Sequence, residues 1–327
     1  MGRWAELSIW ALLGIGLTVA GFLLGPQLVF LFPAYLAVAI TRRGWFTGII
    51  LTGICLVAAV FLAGVAGTIL LFLSVTGFLL AFGLRQQRDP IEVILVGGII
   101  LTVGLVAWLL LGLVISGQPL ASGLDYWLHQ IRQQLSSELS SLPNGLDDRE
   151  AFLNWVETFI RMVWPASLMI YSVLGTGINY GISYWVLRRW GVVLANWRPF
   201  SRWRLSWGYS WGMIGGLGAL LLSDIAGDVF HRTLVTTGLN LTLVFSVVFL
   251  IQGMAVAWFW LEQARVARGL RWGLMVLGLL TVWLPPALTL LGLFDTWFDW
   301  RKLEKQAGGN GDASHPDSGR QGTGSAR

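Results

Sequence analysis

Residues 44–84 read GWFTGIILTGICLVAAVFLAGVAGTILLFLSVTGFLLAFGL, with no Asp, Glu, Lys or Arg. A run this long and this apolar has no place in a soluble core. An α-helix needs about 20 apolar residues to cross about 30 Å of hydrocarbon, so the run reads as two spans turned at Gly64–Gly67. Alternation with a period of two is absent, which excludes a membrane barrel. Helices satisfy every backbone group internally, and lipid demands that.

The same pattern extends in both directions. No charged residue lies in 7–41, 93–124 or 162–187. The chain has 327 residues, 55% of them hydrophobic and 12% charged. A soluble domain carries about 25% charge, and this chain has too little to cover its surface. Mean hydropathy is +0.69. The expected fold is therefore all-α: a polytopic transmembrane helical bundle with about 8–9 hydrophobic passes. The spans are placed at 7–24, 27–40, 46–63, 68–84, 93–116, 162–187, 207–226, 235–261 and 272–298. The last contains Pro285-Pro286, and the pass number hinges on it. A single crossing gives nine passes, and a broken or re-entrant stretch returns Arg301 and Lys302 to the starting side.

Arginine placement orients the chain, because inner loops of membrane proteins carry the excess of Lys and Arg. Arg42, Arg43, Arg85, Arg88, Arg188, Arg189, Arg265, Arg268 and Arg271 fall on one side if the N-terminus is cytoplasmic. The expected location is the bacterial inner membrane. Residues 1–300 read as the transmembrane domain and 301–327 as a disordered tail.

Two segments are not spans. In 117–161, Leu124, Leu128, Ile131, Leu135 and Leu139 recur at helical spacing. Pro143-Asn144-Gly145 then breaks the chain, and Asp147 or Asp148 can cap a second helix. This connection is expected outside, as two amphipathic helices on the bundle or lipid, or as a lid. The inner loop 188–206 alternates arginine and aromatics. Arg198, Arg202, Trp203 and Arg204 are candidates for contact with anionic lipid headgroups or with a protein partner; nucleic acid is not expected.

Chemistry is sparse. Cys55 is the single cysteine and there are three histidines, so no disulfide framework, metal site or haem site is expected, and no cofactor. No phosphate-binding loop and no nucleophile with a base stands out, so the chain reads as no enzyme. Asp224, Asp228, His231, Glu92 and Glu262 all sit near span ends. The better candidates are uncharged. Thr176, Tyr180 and Tyr184 share a helix face, with Asn179 beside it and Asn240 on another span as a partner. They either line a cavity for a small polar solute or hydrogen-bond between helices. Gly208, Gly212 and Gly216 offer close helix contact, as do Gly177 with Gly181 and Gly21 with Gly25.

The chain resembles a bacterial membrane protein family called YybS-like, or DUF2232, over about residues 5–305. The resemblance rests on Gly25-Pro26 and Phe32-Pro33-Ala34 leading to Arg42-Arg43-Gly44, on Pro199-Phe200-Ser201-Arg202-Trp203, and on Leu291-Gly292-Leu293-Phe294-Asp295 with Trp297-Phe298-Asp299-Trp300-Arg301-Lys302. That family is similar to the substrate-binding membrane subunits of energy-coupling-factor transporters. The resemblance implies a vitamin-like solute, other integral membrane subunits as partners and no ATPase of its own. This chain has more passes than those subunits, the added 117–161 connection and no vitamin-binding signature. A membrane scaffold or assembly factor is the alternative function.

Overall fold

The computed structural model describes residues 3–117, 120–140, 149–194 and 199–301. Arg198, Pro143-Asn144-Gly145, Asp147, Asp148 and the expected tail beyond Arg301 lie outside the described residues. Every regular element described is helical. Two compact units emerge, residues 1–197 and 198–327, divided within the basic aromatic loop.

The first unit opens with α1 (Arg3–Leu24), a one-turn α2 (Pro26–Val29) and α3 (Phe32–Arg43). Gly25 ends α1 at φ 153°, a left-handed value that glycine tolerates, and Pro26 starts α2 where a missing N–H costs nothing. Pro33 likewise sits in the first turn of α3. Gly44, at φ 95°, ends α3 and starts α4 (Trp45–Ala63). A 3-10 turn at Gly64–Thr68 leads to α5 (Ile69–Arg85). The chain folds back there, since Trp45 stacks on Phe78 at 5.9 Å and Arg85 lies over the Trp45 ring. Asp89 then caps α6 (Pro90–Ser116), its carboxylate accepting from Ile91 N at 2.8 Å. The core of this unit gathers Phe32, Leu36, Leu51, Leu73, Leu80 and Leu187.

Residues 149–161 continue into the span without a break, as α8 (Arg149–Arg189). Its 41 residues run about 60 Å at 1.5 Å each, twice the hydrocarbon thickness. α7 (Leu120–Ser140) packs antiparallel on its first turns, with Leu128 and Leu153 buried. Ion pairs stitch the seam. Arg132 reaches Glu150 at 2.5 Å and Glu157 at 3.2 Å, and Arg161 reaches Asp125 at 2.6 Å and Glu157 at 2.9 Å.

The second unit contains α9 (Ser210–Ser223), α10 (Gly227–Gln263), α11 (Arg268–Leu279) and α12 (Leu284–Phe298). α11 and α12 meet at 109° across the break, and Pro285-Pro286 lies in the first turn of α12 rather than at the bend itself. α12 runs parallel to α10, with Thr289 against Ser246, Gly292 against Phe249 and Gln252 against Asp295. Close approach is mutual: a Cβ on Gly253 would strike the Leu288 carbonyl, and one on Gly292 the Phe249 carbonyl. Gly212 and Gly216 of α9 similarly admit Phe245 and Thr242 of α10, while Gly208 meets only Ser206.

The expectation of 8–9 passes is corrected to five or six. Five helical runs are long and apolar enough to cross: Glu6–Leu24, Trp45–Arg85, Pro90–Ile115, Arg149–Arg189 and Val229–Gln263. The bent pair of α11 and α12 makes a sixth if counted as one. Length is the physical reason. The 12 residues of α3 and the 14 of α9 rise only about 20 Å, short of the hydrocarbon thickness. The stretch 46–84 is one apolar helical run folded at its 3-10 turn, and 272–298 is broken. The protein is an all-α, multi-pass membrane protein.

Candidate functional site

The polar cluster on α8 closes on the protein itself. The Asn179 carboxamide is inserted into the break between α2 and α3. Its Oδ1 accepts from Ala34 N at 2.9 Å, and its Nδ2 donates to Phe30 O and Gly175 O, both at 2.8 Å. In an unbroken helix Ala34 N–H would bond Phe30 C=O; here it reaches Leu31 O at 3.1 Å, and Asn179 gives it a second acceptor and gives Phe30 O a donor. Ser183 donates to Asn179 O at 2.7 Å and lies 3.3 Å from Ala34 O. Tyr180 and Tyr184 are buried and stacked, centroids 6.4 Å apart. The Thr176 hydroxyl is buried without a hydrogen-bond partner among the described residues, and its methyl packs toward Gly97. Asn240 belongs to the second unit, where it donates to Thr236 O at 2.7 Å. Four of the five candidates thus share one helix, and Asn179 acts as an interhelical clasp.

The span-end charges are equally local. Asp224 is the exposed residue that ends α9, and His231 Nδ1 lies 2.9 Å from Ser223 O. Glu262 pairs with Arg271 at 3.4 Å.

A cavity of about 440 Å³ opens elsewhere in the first unit, where α1, the end of α3 and the start of α4 converge. That volume falls in the range of small-molecule sites. Glu6, Arg42 and Arg43 bring charge to it, and Trp10, Phe46 and Ile50 line its apolar side. Glu6 and Arg43 form an ion pair. Arg42 stacks over the Trp190 ring at 4.7 Å, and Trp190 meets Trp10 edge to face at 6.1 Å. Trp10 is held in turn by Tyr35, whose hydroxyl donates to Trp10 O at 2.6 Å. Arg42 makes no carboxylate ion pair among the described residues. The Arg42-Arg43-Gly44 motif supplies these cations. Its role here was not visible from span placement, though Glu6 on the same expected side was the available signal.

In the second unit the structure reveals a buried charge centre. Asp295 and Arg301 pair at 2.7 Å with both side chains fully enclosed. Arg301 also donates to Ser201 O and Trp203 O, each at 2.7 Å, and Gln252 donates to Asp295 at 2.8 Å. Arg204 adds a pairing to Asp299 at 3.6 Å. Two of the motifs behind the family resemblance, the 199–203 turn and the end of α12, are therefore one structural element. Of the residues expected to contact lipid or a partner, Arg202 is exposed. Trp203 and Arg204 are half-buried, Trp203 packing on Phe200 at 5.4 Å. Among the described residues no group of three or more His, Cys, Asp and Glu converges as a metal site.

A family model described as "Predicted membrane protein (DUF2232)" matches residues 8–296. The chain belongs to that family. Neither the curated proteins nor the solved structures give a match.

Proposed function

We propose that this DUF2232 protein is the membrane-embedded solute-binding component of a heteromeric transporter, with energy supplied by a partner. The observation that carries the reading is the 440 Å³ cavity at Glu6, Arg42 and Arg43. It combines an apolar wall with a few convergent charges, the usual make-up of a ligand site. The site proposed is this cavity and not the Asn179 clasp, whose hydrogen bonds are already spent on the α2–α3 break. The bacterial inner membrane and a cytoplasmic N-terminus belong to the same proposal, since Arg42 and Arg43 then sit with the other inner arginines.

A scaffold role is the second reading. The outer hairpin favours it, because α8 carries exposed, stacked Phe152, Trp155 and Phe159 on a rigid stalk. One experiment separates the two. The full chain is purified from its native membrane in mild detergent, titrated with a panel of small water-soluble solutes, and analysed intact by mass spectrometry. A saturable solute together with a co-purifying ATPase supports the transporter component. A stable complex without an ATPase and without solute binding sinks it in favour of the scaffold.

A further inference from the structure

Resting on the reading that the cavity is a ligand site, we infer that its ligand is a phosphate-ester anion carrying an apolar body. Charge comes first. Among the described residues two arginines and one glutamate line the cavity, a net charge of plus one. Glu6 is matched to Arg43, which leaves Arg42 as the lining cation without a carboxylate among the described residues. Its guanidinium is held in place by the Trp190 ring at 4.7 Å and does not have to be ordered on binding. A planar fork of N–H donors suits phosphate oxygens better than a neutral solute. The α4 N-terminus opens beside it, with Gly44 at its cap and no side-chain cap bond, so the first-turn N–H groups add positive potential.

The apolar body follows from the other wall. Leu7, Phe46 and Ile50 face the cavity, and Phe46 is 75% exposed. Ile9 and Ile49 beside them are exposed as well, so the cavity opens along a surface made for acyl chains. The anion sits at the arginine end and the apolar body runs along α4. Both an acidic phospholipid and a free phosphorylated solute have this chemistry.

The test is calorimetric titration of the purified full chain in neutral detergent. The probes are hexyl phosphate, dihexanoyl phosphatidylglycerol, and their uncharged or zwitterionic counterparts hexanol and dihexanoyl phosphatidylcholine. At least one anionic probe binds and both counterparts fail. Arg42→Gln with Arg43→Gln weakens that binding by about tenfold or more, whereas Glu6→Gln tightens it by about threefold, because it removes the one repelling charge. Arg189→Gln, outside the cavity, leaves it unchanged. Equal binding of the counterparts, indifference to the arginine pair, or weaker binding in Glu6→Gln overturns the inference. The two sources separate cleanly. Preference for hexyl phosphate supports the inference and the transporter reading together. Binding of phosphatidylglycerol alone supports the inference and counts against transport, since the ligand is then a resident lipid. A neutral solute that binds regardless of Arg42 and Arg43 leaves the transporter reading standing and overturns the anion.

Discussion

Arg301 folds back over Asp295 six residues earlier, and the two form a 2.7 Å ion pair with no solvent contact. Helical spacing alone does not bring such a pair together. Asp299 does, by ending α12 in the left-handed conformation at φ 41° and turning the chain onto itself. The guanidinium then reaches past the helix to the Ser201 and Trp203 carbonyls. Arg301 therefore lies against the 199–203 turn, on the side where the chain enters α9. The end of α12, the turn and Gln252 of α10 share one desolvated polar centre.

Breaking that pair leaves a charge buried and unmatched. Asp295→Asn or Arg301→Met alone should destabilise the protein by about 3–5 kcal/mol. Asp295→Leu combined with Arg301→Met should recover most of the loss, because neither charge is then stranded. Recovery stays incomplete, since the Ser201 and Trp203 carbonyls lose their donor. Thermal unfolding followed by tryptophan fluorescence measures all three. A double variant as unstable as the worse single variant contradicts this account.

The Asn179 clasp makes the opposite prediction to a solute-facing polar cluster. Asn179→Leu takes the donor from Phe30 C=O and leaves Ala34 N–H with Leu31 O alone, and should cost about 1–3 kcal/mol. Thr176→Val removes a buried hydroxyl that has no partner, so it should be neutral or mildly stabilising. Cys55 is the single cysteine and is fully buried in the same unit, so its reaction with a thiol dye on heating reports the unfolding.

The helical membrane character was legible because charge-free runs leave lipid as the only workable surroundings. The fold of 45–85 at Gly64–Thr68 was legible for the same reason, with glycines marking the turn. The number of crossings was not. Apolar composition says that a segment avoids water, not how long its helix is. Residues 32–41 and 210–223 are free of charge, as spans are, yet their helices are too short to cross. Asn179 was found as a candidate because a polar residue stood on an apolar helix, but its partner is backbone, which leaves no residue-type signal. Asp295 was missed because Asp-Thr-Trp-Phe-Asp-Trp-Arg reads as interfacial sequence until Asp299 bends it.

Helix contact in the second unit rests on two glycines that face each other's neighbours. Gly253→Ala and Gly292→Ala each push a methyl into a backbone carbonyl of the opposite helix, so neither is relieved by a side-chain rotation. Each should cost about 1–3 kcal/mol. Gly215→Ala meets open space on α9 and should be neutral or stabilising, as alanine is the better helix former. Equal loss in all three variants, read by the same fluorescence assay, rules out the packing argument.

The α7–α8 hairpin should loosen in acid, and the sign follows from Glu157. Its carboxyl is held below the usual carboxylate range, first by the hydrogen bond from Arg161 and then by Arg132. A carboxyl whose folded value lies below its unfolded one favours the folded state where it is ionised. That stabilisation is fully present above the unfolded value of about 4.3 and fades as pH falls through the lower folded value. As pH falls toward about 3, then, the contact of α7 with residues 149–161 of α8 should weaken. Amide hydrogen exchange at pH 6 and pH 3, corrected for intrinsic rates, should show protection lost on α7 and the start of α8 only. The Glu157→Gln variant should exchange faster at pH 6 and show a smaller further loss at pH 3. Its exposure keeps the effect modest, because solvent screens the pair. A pH response as large in Glu157→Gln as in the parent protein would rule out Glu157 as its cause.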